Sequence, residues 1–178
     1  GATLNYHGNN KIGSVGRAVI DTEVKIASDG EVLIRGDHVM KGYYNNQEAT
    51  DETIIDGWLH TGDIAVIDEY GHMSIVDRMK ELIKFKGFQV APAELEALLI
   101  THPKIADVAV IGIPDDEAGE IPKAFVTEAP GSSITLEEIQ ALVSDNLVSY
   151  KQIREFELIE VIPKSASGKI LRKDLRNR

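Results

Sequence analysis

The pattern of apolar residues changes near Lys80, and this change divides the chain into two parts of different character. Before it, apolar and polar residues alternate in short runs, two of which flank the Ser28-Asp29-Gly30 sequence. Alternation around such a turn is typical of a β-hairpin, so we predict a mostly β region over residues 1–79. After it, strand-like runs are mixed with stripes of helical spacing, which predicts a separate α+β domain over residues 80–178.

Local start and turn signals place the individual elements. Asn46 in NNQEATDETI and Thr135 in TLEEIQALVSDNLV can each cap the first turn of a helix. PAELEALLITHP has Pro92 in its first turn and an apolar stripe behind it, which also predicts a helix. ELIKFKGFQV alternates around Gly87 and predicts a two-stranded ribbon. Further strands are predicted for VGRAVI, IADVAVIGIP, IPKAFVTEA and EFELIEVIP.

Composition excludes several classes of protein. The 178 residues are 43% hydrophobic and 27% charged, which is typical of a globular chain and not of a disordered one. Without cysteine there is no disulfide, thiolate nucleophile or cysteine metal site, and the five histidines lack metal-ligand spacing. We therefore expect no metal held by this chain. No apolar run approaches the length of about 18 residues that a membrane span needs, and no leader opens the chain, so we expect a cytoplasmic protein.

Positive charge is concentrated in two clusters although the net charge is -10. An acidic protein is a poor general binder of nucleic acid, so two local clusters indicate a small anionic ligand instead. The alternative is that both clusters are solvated surface. The clusters consist of Arg78, Lys80, Lys84 and Lys86, and of Lys164, Lys169, Arg172, Lys173, Arg176 and Arg178.

Three motifs follow one another along the chain: GYYNNQEATDETIIDGWLHTGDIAVID, DRMKELIKFKGFQVAPAELEALL and PKSASGKILRKDL. Together they resemble the adenylate-forming enzymes, and within that superfamily the acyl-CoA synthetases of the fatty-acid and coumarate type. The similarity covers nearly the whole chain from Gly13 onward. A family of this kind consists of a large N-terminal domain and a mobile C-terminal lid of roughly a hundred residues.

The resemblance implies a two-step reaction. Family members join a carboxylic acid to ATP as an acyl-adenylate, and the thiol of CoA then displaces AMP. We therefore expect ATP/AMP, CoA and a carboxylic acid, here a fatty acid, as ligands, with Mg²⁺ held together with ATP mainly by parts of the large domain. On this interpretation residues 1–79 are the β-rich end of the large domain, a partial β-barrel-like subdomain, and residues 80–178 are the lid.

The resemblance also assigns nucleotide-binding residues. Asp63 in HTGD matches the family aspartate that binds the ribose hydroxyls, and Arg78 matches an arginine that contacts the nucleotide. Ile75 would pack near the sugar, Gln89 would approach the adenylate, and Lys80 occupies the hinge position. The alternatives are that Asp63 caps amides in a turn and that Ile75 packs in the core.

A second group of residues is assigned to the two chemical steps. Lys169 follows Gly168 in a loop of small residues and matches the family lysine that stabilises the charge of adenylate formation. Lys84, Lys86 and Gly87 match the element that faces CoA in the second step. The alternatives are a solvated tail around Lys169 and, for the alternating lysines on one strand face, an edge strand protected against aggregation.

Most of the large domain of the family has no counterpart in these residues, including the phosphate loop and the acyl pocket. We therefore expect the chain to need that N-terminal domain in cis and to be inactive by itself. A second hypothesis is a stand-alone, lid-like module that acts in trans as a binding or regulatory partner. A third is the tail of a carrier-protein ligase or of a peptide-synthetase adenylation domain.

Overall fold

The structure, a computed structural model, describes all of residues 1–178 and divides into two compact units, Gly1–Lys80 and Glu81–Arg178. No helix in it has both the length and the apolar character that crossing a membrane requires. The assignment of the two units to a large domain and a mobile lid stays a prediction. The elements of the first unit are β1 (Thr3–Leu4), β2 (Arg17–Ala18), β3 (Thr22–Ile26), β4 (Glu31–Gly36), α1 (Gln47–Thr53), β5 (Ile54–Ile55), β6 (Trp58–Ile67) and β7 (Met73–Arg78).

An open antiparallel sheet of five strands forms most of the first unit. Its order is β3-β4-β6-β5, and β7 also pairs with β6, while β1 and β2 form a separate pair. The predicted hairpin is confirmed, because β3 and β4 pair in antiparallel register across a turn in which the Gly30 N–H donates to the Ala27 carbonyl. The core is small and consists of Val32, Ala65 and Met73.

The second unit is a sheet covered by helices, as the sequence predicts. Its strand order is β10-β11-β8-β9, and β12 pairs with β11 in parallel. A 3-10 turn at Met79–Glu81 precedes it. Its elements are β8 (Ile83–Phe85), β9 (Phe88–Val90), α2 (Pro92–Leu99), β10 (Ile105–Asp115), β11 (Gly119–Glu128), α3 (Leu136–Asn146), β12 (Glu155–Leu158) and α4 (Arg172–Arg176).

Both faces of the β10–β11 ladder are buried. Val108 and Val110 belong to a core with α2 and α3, whereas Ala109 and Ile111 belong to a second core with the C-terminal segment. This follows from the two-residue period of a strand, which sends neighbouring side chains to opposite faces. A nearly continuous apolar run such as VAVIGI therefore needs cover on both sides.

The caps predicted for the helices are confirmed. The Asn46 side chain accepts a hydrogen bond from the Ala49 N–H, and Thr135 and Glu138 form a reciprocal capping box at the start of α3. Two predicted strands are shorter than expected, at Arg17–Ala18 and Glu155–Leu158. The five-residue helix α4 was not predicted, because it is too short to show a helical period.

Asp68 connects the turn before β7 to the N-terminal segment. Its Oδ1 accepts the N–H groups of Tyr70 and His72 at 2.9 and 2.8 Å, and its Oδ2 accepts a hydrogen bond from Lys11 Nζ at 2.8 Å. The Lys11 ammonium and these amides lower the pKa of Asp68 from 3.8 to about 2. Because the pKa is depressed in the folded state, the ionised carboxylate stabilises the fold above pH 3.8, and this stabilisation is lost as the pH falls towards about 2.

We expect Asp68→Asn to lower the urea midpoint of unfolding near neutral pH and to leave it almost unchanged near pH 2. The amide keeps the shape of the side chain but removes the charge that Lys11 binds. Urea unfolding of both chains across this pH range measures the difference. Glu69→Gln, at an exposed neighbouring position, is the control. A difference between Asp68→Asn and the original chain that persists unchanged at pH 2 contradicts the prediction.

Candidate functional site

The HTGD segment lies within strand β6 and not in a turn. Asp63 is paired with Arg78 in the β6–β7 ladder, and this register breaks directly after Ile64. Gly62 has a φ of 70°, a conformation that favours glycine, and the β4–β6 register also shifts beside it. The segment is therefore a β-bulge, which changes the direction of the side chains around it. The expectation that Asp63 lies in a turn is therefore wrong. Its carboxylate also accepts no hydrogen bond from a backbone amide, so it is not a turn cap.

The buried carboxylate of Glu31 holds this bulge in place. Its Oε1 accepts the Gly62 N–H at 2.8 Å, and its Oε2 lies 2.6 Å from His60 Nδ1. The neighbouring Thr61 hydroxyl donates to the Val32 carbonyl at 2.8 Å. Sequence reasoning missed Glu31, and the only signal was a carboxylate at the start of the apolar run EVLI.

Two of the predicted nucleotide-binding residues are brought together by the pairing of β6 with β7. Arg78 Nε lies 3.4 Å from Asp63 Oδ1, and 34% of the Asp63 side chain remains exposed. A carboxylate that accepts hydrogen bonds beside a guanidinium that donates them fits a ligand with both hydroxyl and phosphate groups. Ile75 is 43% exposed while Met73 is buried, so packing in the core of this unit does not explain Ile75.

The predicted ribbon around Gly87 is confirmed, but its lysines do not share a strand face. Lys84 lies in β8 and is exposed. Lys86 and Gly87 instead form the turn between the strands, with φ angles of 47° for Lys86 and 82° for Gly87. Gln89 in β9 is the cross-strand partner of Lys84. Because β9 and not β8 is at the sheet edge, protection of an edge strand does not explain Lys84.

Lys169 belongs to a closed hairpin and not to a bare loop. The Ser165 N–H donates to the Lys169 carbonyl at 2.8 Å, and the Leu171 N–H donates to the Pro163 carbonyl at 2.8 Å. Gly168 has a φ of 80°, which the turn requires. The backbone is thus ordered while the Lys169 side chain is exposed and makes no ion pair. An ammonium held in this way is free to meet an anionic ligand.

The predicted hinge position and the possibility of a metal site remain to be described. Lys80 is exposed in the 3-10 turn that ends the first unit. No group of three or more histidine, aspartate or glutamate side chains lies close enough together to hold a metal ion. The exposed lysines and the Asp63–Arg78 pair can bind phosphate and hydroxyl groups of a ligand.

Comparison with known proteins identifies the second unit. Residues 94–169 match the family described as AMP-binding enzyme C-terminal domain. Residues 94–169 of the second unit therefore belong to this domain family. The chain matches the C-terminal part of the adenylate-forming acyl-CoA synthetases, so the family resemblance seen in the sequence is confirmed.

Curated relatives of the whole chain are named 4-coumarate-CoA ligases. A 4-coumarate-CoA ligase 1 from Narcissus pseudonarcissus is 54% identical over 94% of the chain, which spans 33% of that relative. A 4-coumarate--CoA ligase 1 from Glycine max is 55% identical over 93% of the chain, which spans 61% of it. The chain thus spans about a third of the length of most of the curated relatives described.

Several solved structures share this fold. The o-succinylbenzoate CoA synthetase of Bacillus subtilis, in complex with its acyl-adenylate intermediate, has a TM-score of 0.81 and 32% identity over 94% of this chain and 36% of that one. The amide bond synthetase of Marinactinospora thermotolerans has a TM-score of 0.82 and 33% identity over 93% of this chain and 36% of its own. The mixed α+β fold is therefore that of adenylate-forming enzymes. The roles of the individual site residues stay predictions.

We expect Glu31→Ala to destabilise this chain by about 1–3 kcal/mol, because the partly buried Gly62 N–H loses its acceptor. Glu31→Gln keeps an oxygen for that N–H and an amide for His60, so its effect is expected to be smaller. Urea unfolding measures both. As a control, Glu23→Ala removes an exposed ion pair with Arg35 on the neighbouring strands. A loss for Glu31→Ala no larger than for Glu23→Ala contradicts the role given to Glu31.

Proposed function

We propose that this chain is the C-terminal part of an acyl-CoA ligase that converts a carboxylic acid and ATP to an acyl-adenylate and then transfers the acyl group to CoA. The observation that supports this most strongly is the identity of 54% to a 4-coumarate-CoA ligase over 94% of the chain. The polar residues of HTGD, the ribbon at Gly87 and the hairpin of Lys169 are all accessible in the fold.

An aromatic acid of the 4-coumarate type is the substrate that we propose in place of the fatty acid expected from sequence. The curated relatives at more than 50% identity are named 4-coumarate-CoA ligases. A fatty acid is the second candidate, because a Mycobacterium tuberculosis fatty acyl CoA synthetase is 38% identical with a TM-score of 0.69. The acid pocket itself would belong to the large domain.

In the first step, Asp63 would accept hydrogen bonds from the ribose hydroxyls while the neighbouring Arg78 contacts the nucleotide. Ile75 would lie against the sugar and Gln89 near the adenylate. Lys169 would place its ammonium at the α-phosphate and the attacking carboxylate, where it stabilises the negative charge that develops as pyrophosphate leaves. The ordered hairpin favours this role, because a positioned charge stabilises a transition state better than a mobile one. Mg²⁺, when bound with ATP, would neutralise phosphate charge.

In the second step, the ribbon of Lys84, Lys86 and Gly87 would contact CoA while its thiol attacks the adenylate carbonyl and AMP leaves. The Lys86–Gly87 turn exposes both backbone and ammonium, which suits close approach by a phosphate-bearing ligand. Lys80 would serve as the hinge that lets the lid present Lys169 in one step and this ribbon in the other. We also propose a cytoplasmic location.

Two other functions are alternatives to this proposal. A module that acts in trans would need only the second unit, yet the chain also includes the first, which supports a single longer ligase. A different acyl acceptor, such as a carrier protein or an amine, is compatible with the fold, since one structural relative is named an amide bond synthetase. The relatives named CoA ligases favour CoA.

We expect Lys169→Ala in the full-length ligase to slow adenylate formation by about 100-fold or more, since it removes the positioned charge. Reaction of preformed 4-coumaroyl-adenylate with CoA should be unchanged. Pyrophosphate release and thioester formation, measured separately, test this. Lys173→Ala, which removes an exposed lysine of the same segment, is the control. An equal loss in both half-reactions would rule out the assignment of Lys169.

An immunoblot of the source cells, with an antibody against this chain, tests the proposal of a longer enzyme. We expect a product about three times as long as 178 residues, since the chain spans 33% of the Narcissus relative. Purified, that product should release pyrophosphate with 4-coumarate faster than with a fatty acid. A native product of 178 residues supports the module in trans, and faster turnover of the fatty acid overturns the aromatic assignment.

A further inference from the structure

An ion pair joins helix α4 to helix α2 at the outer edge of strand β10. Arg172 Nη2 donates to both carboxylate oxygens of Glu96, at 2.8 and 2.9 Å. Val110 lies between them, because its N–H donates to Glu96 Oε1 at 2.8 Å and its carbonyl accepts from Arg172 Nε at 3.3 Å. The pair therefore satisfies the free backbone groups of an edge strand.

Burial distinguishes this pair from the other ion pair near the same hairpin. Only 15% of the Arg172 side chain and 14% of the Glu96 side chain are exposed, against 38% for Lys164 and 32% for its partner Asp107. Exposed pairs contribute little to stability, whereas removing one partner of a shielded pair leaves an uncompensated charge. Among the ion pairs around Lys169, this one constrains the backbone most.

Arg172 lies only three residues after Lys169, directly where the hairpin ends and α4 begins. Ile170 packs against the second core, and Leu175 is buried in it. These apolar contacts hold the segment to the sheet face, but they are non-directional and specify orientation less sharply than hydrogen bonds do. The guanidinium of Arg172 binds two partners at once, Glu96 through Nη2 and the Val110 carbonyl through Nε, and these directional bonds fix both distance and orientation.

We propose that Arg172 and Glu96 are positioning residues for Lys169, which hold the Lys169 hairpin at the place on the lid from which its ammonium reaches the reacting phosphate. This inference rests on the proposed function, because it requires Lys169 to act in adenylate formation. Neither residue touches substrate. Both bind Val110 on β10 at one edge of the sheet, whereas the Lys86–Gly87 turn joins β8 to β9 at the other edge, so we expect the second half-reaction not to need them.

Substitution of Arg172 in the full-length ligase tests this role. We expect Arg172→Gln to slow adenylate formation from 4-coumarate and ATP by about 100-fold, the size of effect that a misplacement of about 1 Å produces. Thioester formation from preformed 4-coumaroyl-adenylate should change little. Glu96→Gln keeps an oxygen for the Val110 N–H but loses the charge, so a smaller loss confined to the first half-reaction is expected. Lys173→Gln is the matched control on α4.

A double variant distinguishes positioning from general support of the fold. In the Lys169→Ala background, adding Arg172→Gln should cause no further loss of adenylate formation, because the group that Arg172 positions is already gone. If Arg172→Gln alone does not fold, as its unfolding midpoint will show, the double variant Glu96→Gln with Arg172→Gln leaves no buried charge and serves in its place.

Each remaining result overturns a specific statement. Equal slowing of both half-reactions, or an additive loss in the Lys169→Ala background, shows that Arg172 only supports the lid and overturns the positioning role. A harmless Lys169→Ala overturns the catalytic role of Lys169 and the inference with it. A full-length protein that forms no adenylate from 4-coumarate or from a fatty acid overturns the proposed function, whatever Arg172 does.

Discussion

The second unit depends on the burial of both faces of the β10–β11 ladder. Val110 and Ala124 are covered by the core with α2 and α3, and Ala109 and Phe125 by the core with the C-terminal segment. A sheet with two apolar faces cannot leave either to water without losing the hydrophobic contribution to stability. The segment that bears Lys169 is therefore part of the structural cover of the sheet, which is why its backbone is ordered.

Polar groups complete the structure where regular pairing ends. Glu31 binds the backbone of a β-bulge at Gly62, and Glu96 with Arg172 binds the free edge of β10 at Val110. In both places a shielded charge is retained because it satisfies backbone groups that would otherwise lack partners. Each of these places adjoins a residue proposed for the reaction. The same hydrogen bonds that stabilise an irregular backbone thus orient the side chains beside it.

The parts of the fold that could be predicted from sequence are those with local causes. Asn46 and Thr135 cap their helices through atoms only three residues away, and the hairpin before β4 is specified by its own turn. The placement of Asp63 within a strand could not be predicted in this way, because the bulge depends on a carboxylate from another strand. The face of Lys86 was predicted wrongly because alternation does not continue through a two-residue turn.

The sequence by itself determined the family, the order of the motifs and most helices and strands, since these depend on residues that are close together in the chain. Only the tertiary structure decided which side chains meet. Asp63 reaches Arg78 through the register of β6 with β7, and Arg172 reaches Glu96 across 76 residues. Such contacts depend on how strands pair and which faces are buried. These are collective results of packing the whole unit, and no local pattern contains them.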